Sequence, residues 1–438
     1  MRFLPQIRVL GKMSRKVLLI SFQHPDLVRG GQQQICYELF AALKKTQLKP
    51  IFLASMQKDI LPGLFKGGAV ITGFDGREAE FLFLTAGYDH DWHRNREPWR
   101  LEIFEEFLRG SKPDVIHFHH FMGYGLEYFA AARKYLDSVG GRLIFTLHEF
   151  LAICLAEGHM VRTFDGSLCN RASPMRCHQC FPNKTPEFFS MRTMWAKYHL
   201  DMVDTFVATS LFTKSVYVDW GVRAEKIIHI PAGHREFPGR AGVASSPGQP
   251  SGKRNRFGFF GQLIDSKGLL VLFDAIRALR HSGVSDFTVD INGANLEFAS
   301  SEFRQQYEAF CTEEETRAKR GVRRVRFNGM YDVADLPRLM ADIDWVLVPS
   351  KWAETFLMVV SEAFLFGKPV ICSNIGVMLE RIQDNINGLH FTVGSSDSLA
   401  SVMKRAITEA DLWDRLSANV LPPPTADRSA QLHMELCY

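Results

Sequence analysis

The sequence predicts an α/β protein with two Rossmann-like, doubly wound parallel sheets that face each other across a cleft. Three observations support this fold class. Short apolar runs typical of buried strands alternate with amphipathic helical patterns. The alternation stops near residue 238 and restarts near residue 256. The length of 438 residues also exceeds what one ordinary hydrophobic core accommodates, so two domains are expected.

The first domain is predicted over residues 1–237. Val17–Phe22 is typical of a buried strand, and the apolar spacing in Gln32–Lys45 predicts the helix that follows it. The same alternation continues, with further strands expected at Ile51–Ala54, Val115–His119, Leu143–Leu147, Phe206–Thr209 and Ile227–Ile230, and helices at Leu126–Leu136 and Phe188–Met202.

Residues 238–255 are rich in Gly, Pro and Ser without apolar periodicity, which predicts a linker. The second domain is predicted over residues 256–419. Its strands and helices are expected at Arg256–Gly261, Lys267–Leu279, Phe287–Asn292, Val325–Phe327, Leu336–Ile343 and Trp345–Pro349. In open parallel sheets, ligands bind beyond the carboxyl ends of the strands, so the cleft between the domains is the expected binding site.

Composition excludes several classes of function. The net charge of +4 is too small to indicate nucleic-acid binding, and no apolar run approaches the ~20 residues that span a bilayer. Without a signal-peptide pattern, a cytoplasmic location is expected. Residues 1–16 carry five basic residues and no acidic one. They are interpreted as a solvated tail, or as a peripheral contact with an anionic membrane surface.

The most informative segment runs from Glu354 to Glu362, two carboxylates eight residues apart at a predicted strand-to-helix turn. The backbone N–H groups of Phe356, Leu357 and Met358 would open the helix and hold an anion. A carboxylate on the loop accepts hydrogen bonds from sugar hydroxyls, and a carboxylate further along the helix can bind a ribose diol. This combination predicts a nucleotide-sugar site.

The segment resembles the Glu-x7-Glu signature of retaining glycosyltransferases of family 4, which have the GT-B fold. Further motifs follow the order of that family over nearly the whole chain: Gly30-Gly31, Thr146-Leu147-His148-Glu149, Phe259-Phe260-Gly261-Gln262, Lys267-Gly268, and Gly376 to Glu380 followed by Asn387-Gly388. The resemblance implies transfer of a sugar from a nucleotide diphosphate to a hydroxyl of a glycan or lipid-linked acceptor. It also implies a setting in bacterial polysaccharide or lipid-linked glycan synthesis.

The resemblance also assigns roles to individual residues. Lys267 would stabilise the charge that develops on the β-phosphate, and Glu354 would bind the donor sugar. His148 would lie near the acceptor and the donor sugar. The loop at Gly30 and Gly31 would approach the diphosphate from the first domain.

Three positions depart from the family pattern. Gln262 stands where the family usually has Arg, so a bidentate guanidinium grip on the donor is missing there. Leu357 replaces a frequent Gly, and Val377 replaces the second Gly of a Gly-Gly-x-x-Glu pattern. Glu380 matches the Glu of that pattern, and it is either a site residue or a capping carboxylate. These departures keep open an alternative function, a non-catalytic nucleotide-sugar-binding or scaffold protein of a glycan-assembly complex.

No cofactor is expected for catalysis, because no Asp-x-Asp motif stands at the end of a strand predicted from the sequence. No second carboxylate is identifiable for a double displacement, so front-face attack by the acceptor hydroxyl is the expected route to retention. In the GT-B fold the last helix usually returns to the first domain. Pro422-Pro423-Pro424 would begin that crossover, and residues 420–438 would pack on the first domain.

Four cysteines cluster within residues 150–185, a segment of low periodicity: Cys154, Cys169, Cys177 and Cys180. Cys-x-x-Cys spacing at the last pair, with two more thiols nearby, predicts a structural zinc site. Reduced thiols and a surface disulfide are the alternatives. Because the segment directly follows His148, it is expected to shape the acceptor pocket.

Overall fold

The computed structural model describes residues 14–57, 69–74, 76–235, 237, 252–322 and 324–438. Most of the basic N-terminal segment and most of the predicted linker, residues 1–13 and 238–251, lie outside this range, so the predictions made for them stay predictions. Within the described ranges, every helix is too short or too polar to cross a lipid bilayer. Two predominantly parallel sheets flanked by helices confirm the predicted fold class.

The described residues of the first part of the chain form ten strands: β1 (Lys16–Ser21), β2 (Lys49–Met56), β3 (Ile71–Gly73), β4 (Glu80–Leu84), β5 (Tyr88–Asp89), β6 (Arg94–Asn95), β7 (Val115–Phe118), β8 (Arg142–Leu147), β9 (Thr205–Ala208) and β10 (Ile227–His229). Eight of them form one sheet in the order β10-β9-β8-β7-β1-β2-β4-β3. β5 and β6 pair separately as a short antiparallel ribbon.

Strand β3 corrects the expectation of a purely parallel sheet, because it pairs antiparallel with β4 at the sheet edge. A three-residue edge strand with exposed positions lacks the continuous apolar run that marks the other strands. β1 illustrates the contrast, since five of its six residues are buried between two helical layers.

Helices cover both faces of this sheet, as doubly wound topology requires. The helices of the first part are α1 (Gly31–Leu43), α2 (Pro98–Ser111), α3 (Glu127–Val139), α4 (Pro174–Cys180), α5 (Pro186–Leu200) and α6 (Leu211–Trp220). α4 is a short helix inside the cysteine-bearing segment, where the sequence indicated no regular structure. Its N-terminus is fixed by the Ser173 hydroxyl, which accepts a hydrogen bond from the N–H of Arg176.

The second sheet has six parallel strands: β11 (Arg256–Phe260), β12 (Thr288–Asn292), β13 (Val325–Gly329), β14 (Trp345–Val348), β15 (Val370–Ser373) and β16 (Gly388–Phe391). They lie in the order β13-β12-β11-β14-β15-β16. Seven helices accompany them: α7 (Leu269–His281), α8 (Ser301–Lys319), α9 (Leu336–Ala341), α10 (Met358–Leu365), α11 (Val377–Arg381), α12 (Ser396–Thr408) and α13 (Leu412–Ser417).

The strand orders fix where a ligand can bind. In the first sheet the chain reverses its direction of winding between β1 and β7, and in the second between β11 and β14. Loops on the two sides of such a switch point diverge and leave a crevice at the carboxyl edge of the sheet. The expected site residues follow strands that flank or neighbour these two points.

The C-terminal helix α14 (Ala426–Leu436) packs on the first part of the molecule, against α1. Thr425, the residue directly before α14, forms a parallel β-bridge with His234. Ala430 and Cys437 are buried in the core that includes Leu39 of α1. The last helix therefore completes the apolar layer under the first sheet.

Candidate functional site

Lys267 and Glu354 lie together at the switch point of the second sheet. Lys267 follows β11 and Glu354 follows β14, and the two strands are neighbours. The Lys267 ammonium is 2.6 Å from Oε1 of Glu354, and the Ser350 hydroxyl donates to the same oxygen over 2.9 Å. The carboxylate is almost buried, with 6% of Glu354 exposed. Both residues expected to handle the donor therefore meet in one ion pair.

Gly268 allows this arrangement through an unusually close backbone contact. Its φ is +72°, and a Cβ at this position would lie 1.8 Å from the carbonyl oxygen of Pro349. The turn after β11 thus packs directly on the end of β14. This close packing holds Lys267 next to Glu354.

Helix α10 begins at Met358, directly after Leu357, which has a φ of +64°. A β-carbon in this left-handed region costs about 1–2 kcal/mol, which explains why the family often has Gly here. Gly31 of the first domain faces this helix start, since a Cβ on Gly31 would lie 3.5 Å from Cγ of Met358. The expected diphosphate loop and the expected anion-binding helix start are therefore opposite each other.

Thr355 joins the two halves of the molecule at the site. Its hydroxyl donates to the carbonyl of His148 over 2.7 Å. Its own carbonyl accepts hydrogen bonds from the hydroxyls of Ser210 and Thr213, over 2.7 and 3.3 Å. The residue after Glu354 is thus bonded to the two strand ends, β8 and β9, that carry the first-domain side of the cleft.

His148 is linked to a cluster of buried histidines. Its Nε2 lies 3.0 Å from Nδ1 of His119, which follows the neighbouring strand β7. The His119 ring is also 4.3 Å from that of His117, which in turn stacks at 5.5 Å on His433 of α14. Burial lowers the pKa values of these rings, to about 3 for His148 and about 4 for His433. At neutral pH His148 is therefore uncharged and serves as a hydrogen-bonding group.

Glu149 does not support His148, because its carboxylate accepts the N–H of Leu151 instead. Burial raises the pKa of Glu149 to about 7. Glu362 lies on α10 and is nearly buried, with an oxygen 3.9 Å from Nε2 of His234. Gln262 is exposed just beyond β11, and Gly30 caps the N-terminus of α1 in an extended conformation.

Glu380 acts as a cap on a helix of the other half of the molecule. Its two carboxylate oxygens accept the N–H groups of Leu211 and Phe212, over 2.9 and 2.8 Å, at the start of α6. These two hydrogen bonds satisfy backbone N–H groups at the start of α6 that have no partner within the helix. Of the two interpretations from the sequence, the structure gives the capping one.

Two residues that contact the site were not identified from the sequence. Thr355 bonds to the carbonyl of His148, and Arg381 donates three hydrogen bonds to the turn before α10 and to its first turn. The sequence places His117 and His119 on one face of a strand and predicts that His119 or His120 lines the cleft, but only the pairing of β7 with β8 shows that His119 meets His148. For Arg381 no sequence signal distinguished it from a surface arginine.

The four clustered cysteines line one cavity of about 20 Å³, together with Arg162 and Arg176. All four are free thiols, and burial raises the pKa of Cys177 to about 11. The donor set suits zinc, but in the described part of the chain no three metal-ligating side chains are arranged to hold an ion. The zinc site stays a prediction.

Two family models match the chain. Residues 29–234 match Glycosyltransferase Family 4, and residues 245–420 match Glycosyl transferases group 1. Curated relatives are matched over shorter stretches. The lipopolysaccharide 1,2-N-acetylglucosaminetransferase of Salmonella typhimurium is 28% identical over 158 residues, 35% of this chain and 39% of that protein. An uncharacterized 41.2 kDa protein in the cps region of Klebsiella pneumoniae is 33% identical over 79 residues, 18% of this chain and 22% of that protein. The chain spans less than half the length of these relatives.

Solved structures resemble the whole chain. HepE of Anabaena, in complex with UDP, superposes with a TM-score of 0.64 at 18% identity, covering 96% of this chain and 99% of that one. Sucrose-phosphate synthase of Thermosynechococcus elongatus gives 0.65 at 16% identity, covering 96% and 98%. These neighbours are GT-B glycosyltransferases, and the likeness confirms the GT-B fold.

The packing at Gly268 predicts a strong effect of a single methyl group. Gly268→Ala should lower the free energy of unfolding by about 2–5 kcal/mol, from left-handed strain plus displacement of Pro349. Gly283→Ala is the matched control, because Gly283 also has a positive φ, +81°, but has no atom within 4 Å of the added carbon. It should cost only about 1–2 kcal/mol. Urea unfolding compares them, and equal losses would contradict the packing argument.

The buried histidines predict acid lability. In the unfolded chain they titrate near pH 6.5, whereas in the folded protein His120 and His148 titrate near 3 and His433 near 4. Below pH 6.5 the unfolded state binds more protons, so stability falls as pH falls, by up to about 1.4 kcal/mol per ring and pH unit. The thermal midpoint should therefore drop steeply from pH 7.5 to 5.5. His433→Phe should make the drop shallower, and exposed His281→Phe should not. A midpoint independent of pH contradicts the prediction.

Proposed function

The chain belongs to glycosyltransferase family 4, and we propose that it is an enzyme that transfers a sugar, with retention of configuration, from a nucleotide-diphosphate donor to a hydroxyl group. One observation carries this proposal. The Lys267–Glu354 pair and the start of α10 lie at the switch point of the second sheet and contact the His148 strand end through Thr355. That is the position in which a donor would be shared by both halves of the protein.

The donor would bind mainly to the second half of the molecule. Lys267 would exchange part of its contact with Glu354 for the diphosphate, and the open N–H groups at Phe356, Leu357 and Met358 would bind the phosphate oxygens. Glu354 would then accept hydrogen bonds from the sugar hydroxyls. Glu362 would bind the ribose diol, and exposed Gln262 would donate one uncharged hydrogen bond.

The first half would complete the site. The backbone at Gly30 and Gly31 would approach the diphosphate opposite Met358. Neutral His148 would orient a sugar or acceptor hydroxyl, because its pKa of about 3 prevents it from carrying charge at neutral pH. The ring would therefore act by hydrogen bonding.

The proposed chemistry is a front-face displacement, with retention implied by the family. The acceptor oxygen forms a bond to the anomeric carbon as the bond to the diphosphate breaks, and the departing phosphate takes the hydroxyl proton on the same face. Positioning and stabilisation of phosphate charge by Lys267 and α10 supply the rate enhancement. The proposal assigns the reaction no catalytic metal and no protein nucleophile.

The biological setting is proposed from the relatives. One acts on lipopolysaccharide by its name, and another is described by its position in a cps region. We therefore favour a glycan or lipid-linked acceptor in bacterial polysaccharide synthesis at the cytoplasmic side of a membrane. The basic N-terminal segment would supply peripheral contact with that membrane.

Mutation of the proposed donor site is predicted to reduce sugar transfer. Thermal shift with a panel of nucleoside diphosphates and their sugars should select one nucleotide. With that donor and a crude lipid or glycan acceptor, Glu354→Gln and Lys267→Met should each reduce turnover at least about 100-fold. Lys351→Met, an exposed neighbouring lysine, is the control and should retain activity.

Three results would contradict this proposal. Wild-type rates in both site variants would show that the site is misplaced. Selective binding without turnover of any donor sugar would favour the alternative, a nucleotide-sugar-binding or scaffold protein. Absence of any selective binding would remove the donor site itself.

We also propose that Cys154, Cys169, Cys177 and Cys180 bind a structural zinc ion. Four thiols around one cavity form the appropriate donor set, and Arg162 and Arg176 would offset the negative charge of a tetrathiolate. Because the neutral thiols must lose protons to bind, zinc would lower the high pKa of Cys177 and stiffen the loop that follows His148.

Elemental analysis of protein purified without chelator should give about one zinc per chain, and Cys177→Ser should abolish it. Cys311→Ser, outside the cluster, should leave the metal content unchanged. Thiol titration of the unfolded protein completes the measurement. Zinc-free protein with eight reactive thiols would indicate reduced cysteines, and loss of two thiols would indicate a disulfide.

A further inference from the structure

The proposed donor site has a shortage of positive charge. Lys267 is paired with Glu354 at 2.6 Å, so the two side chains together contribute no net charge. Gln262 adds none. A nucleoside diphosphate brings at least two negative charges into a partly buried cleft, where such charges require compensation. The open N–H groups of α10 supply roughly half a charge.

Arg381 lies beside the turn that would hold the diphosphate. From the end of α11, its Nη1 donates to the carbonyl oxygens of Phe356 and Leu357, over 2.5 and 2.8 Å. Nη2 donates to the hydroxyl of Ser361 over 2.8 Å. The guanidinium carbon is 4.3 Å from the centre of the Phe356 ring. The guanidinium is therefore within about one helical turn of the expected phosphate position.

The charge of Arg381 has no close counter-ion among the residues described in the structure. Its hydrogen-bond partners are neutral carbonyl and hydroxyl oxygens. The adjacent carboxylate of Glu380 attracts this charge, but its two oxygens accept hydrogen bonds from the start of α6 in the other half of the molecule. Burial lowers the pKa of Arg381 to about 10 although Glu380 raises it, so the group keeps its charge at neutral pH at a cost in desolvation.

We propose that Arg381 is a positioning residue of the donor site that supplies the positive potential missing at Gln262 and fixes the turn at Leu357. The inference rests on the proposed function, since it concerns a diphosphate bound at α10. A buried cation without a carboxylate partner is stabilised when an anion binds nearby, so the desolvation cost favours ligand binding. The same hydrogen bonds hold Leu357 in its left-handed conformation, at a φ of +64°.

A purely structural role makes different predictions from an electrostatic one. Arg381→Lys keeps the charge but loses the planar fork that bonds two carbonyls. Arg381→Gln keeps a hydrogen-bond donor but loses the charge. If charge matters, the glutamine variant must bind a diphosphate more weakly than the lysine variant, and its binding must depend less on salt.

The experiment measures, by calorimetry, the affinity of the full chain for the nucleoside diphosphate selected by the thermal-shift panel, at 50 and 300 mM salt. Arg381→Gln should weaken binding on the order of 10- to 50-fold at low salt, as expected for the loss of one nearby positive charge at an intermediate dielectric constant. Arg381→Lys should stay within about 5-fold of wild type. Arg338→Gln, an exposed arginine on α9, is the control and should bind like wild type. Circular dichroism and the thermal midpoint verify that each variant is folded.

The outcomes are distinct. Wild-type affinity in folded Arg381→Gln overturns the proposal, and so does an equal loss in both variants with an unchanged salt dependence, which indicates a structural pin. If Arg381→Gln does not fold, the affinity of Arg381→Lys is compared with that of wild type. A loss of affinity beyond about 50-fold in this variant, which keeps the charge, overturns the electrostatic role. If wild-type protein binds no nucleoside diphosphate, the donor site fails first and this inference falls with it.

Discussion

Thr355 is the contact on which the geometry of the site depends. Its hydroxyl and carbonyl bond to His148 and Ser210, which follow strands β8 and β9 of the other sheet, and to Thr213 in the first turn of α6. It also follows Glu354 directly, so the position of the carboxylate that we propose to bind the sugar is coupled to the arrangement of the two halves. Movement of the two halves relative to each other would therefore shift Glu354 within the cleft. The same hydrogen bonds at Thr355 therefore stabilise the interface between the two halves and fix the geometry of the site.

Much of this arrangement follows from local patterns in the sequence. Buried strands and amphipathic helices predict two parallel sheets, and carboxyl ends of neighbouring parallel strands share an edge. Lys267 and Glu354 are 87 residues apart, yet both follow strands of one sheet. The sequence could therefore predict that they lie at the same edge of that sheet. The GT-B fold and the family were predicted from the resemblance of the Glu354–Glu362 segment and the ordered motifs to a known family, and both are confirmed. The functional roles of the site residues stay predictions.

The contacts that sequence reasoning missed run between elements whose relative orientation no local pattern encodes. Glu380 caps α6, Arg381 supports the turn before α10, and His119 meets His148, in each case across strands or across the cleft. The antiparallel edge strand at Ile71–Gly73 was missed for another reason, since three partly exposed residues carry no periodicity. The cysteine cluster is an intermediate case. The spacing of the four cysteines in the sequence indicated that they lie close together, and they do line one cavity. The spacing does not determine how their sulfur atoms are arranged around a metal ion.

The return of α14 has a consequence for how such proteins can recombine. The C-terminal helix is distant in sequence from the first sheet, yet Ala430, His433 and Cys437 are buried against its core. A gene fusion that replaces everything after the linker would also replace this helix and leave a foreign surface beneath His117. Functional exchange of donor-binding halves would therefore be expected with two crossover points, one on each side of the second sheet, so that each first domain keeps the helix with which it was selected.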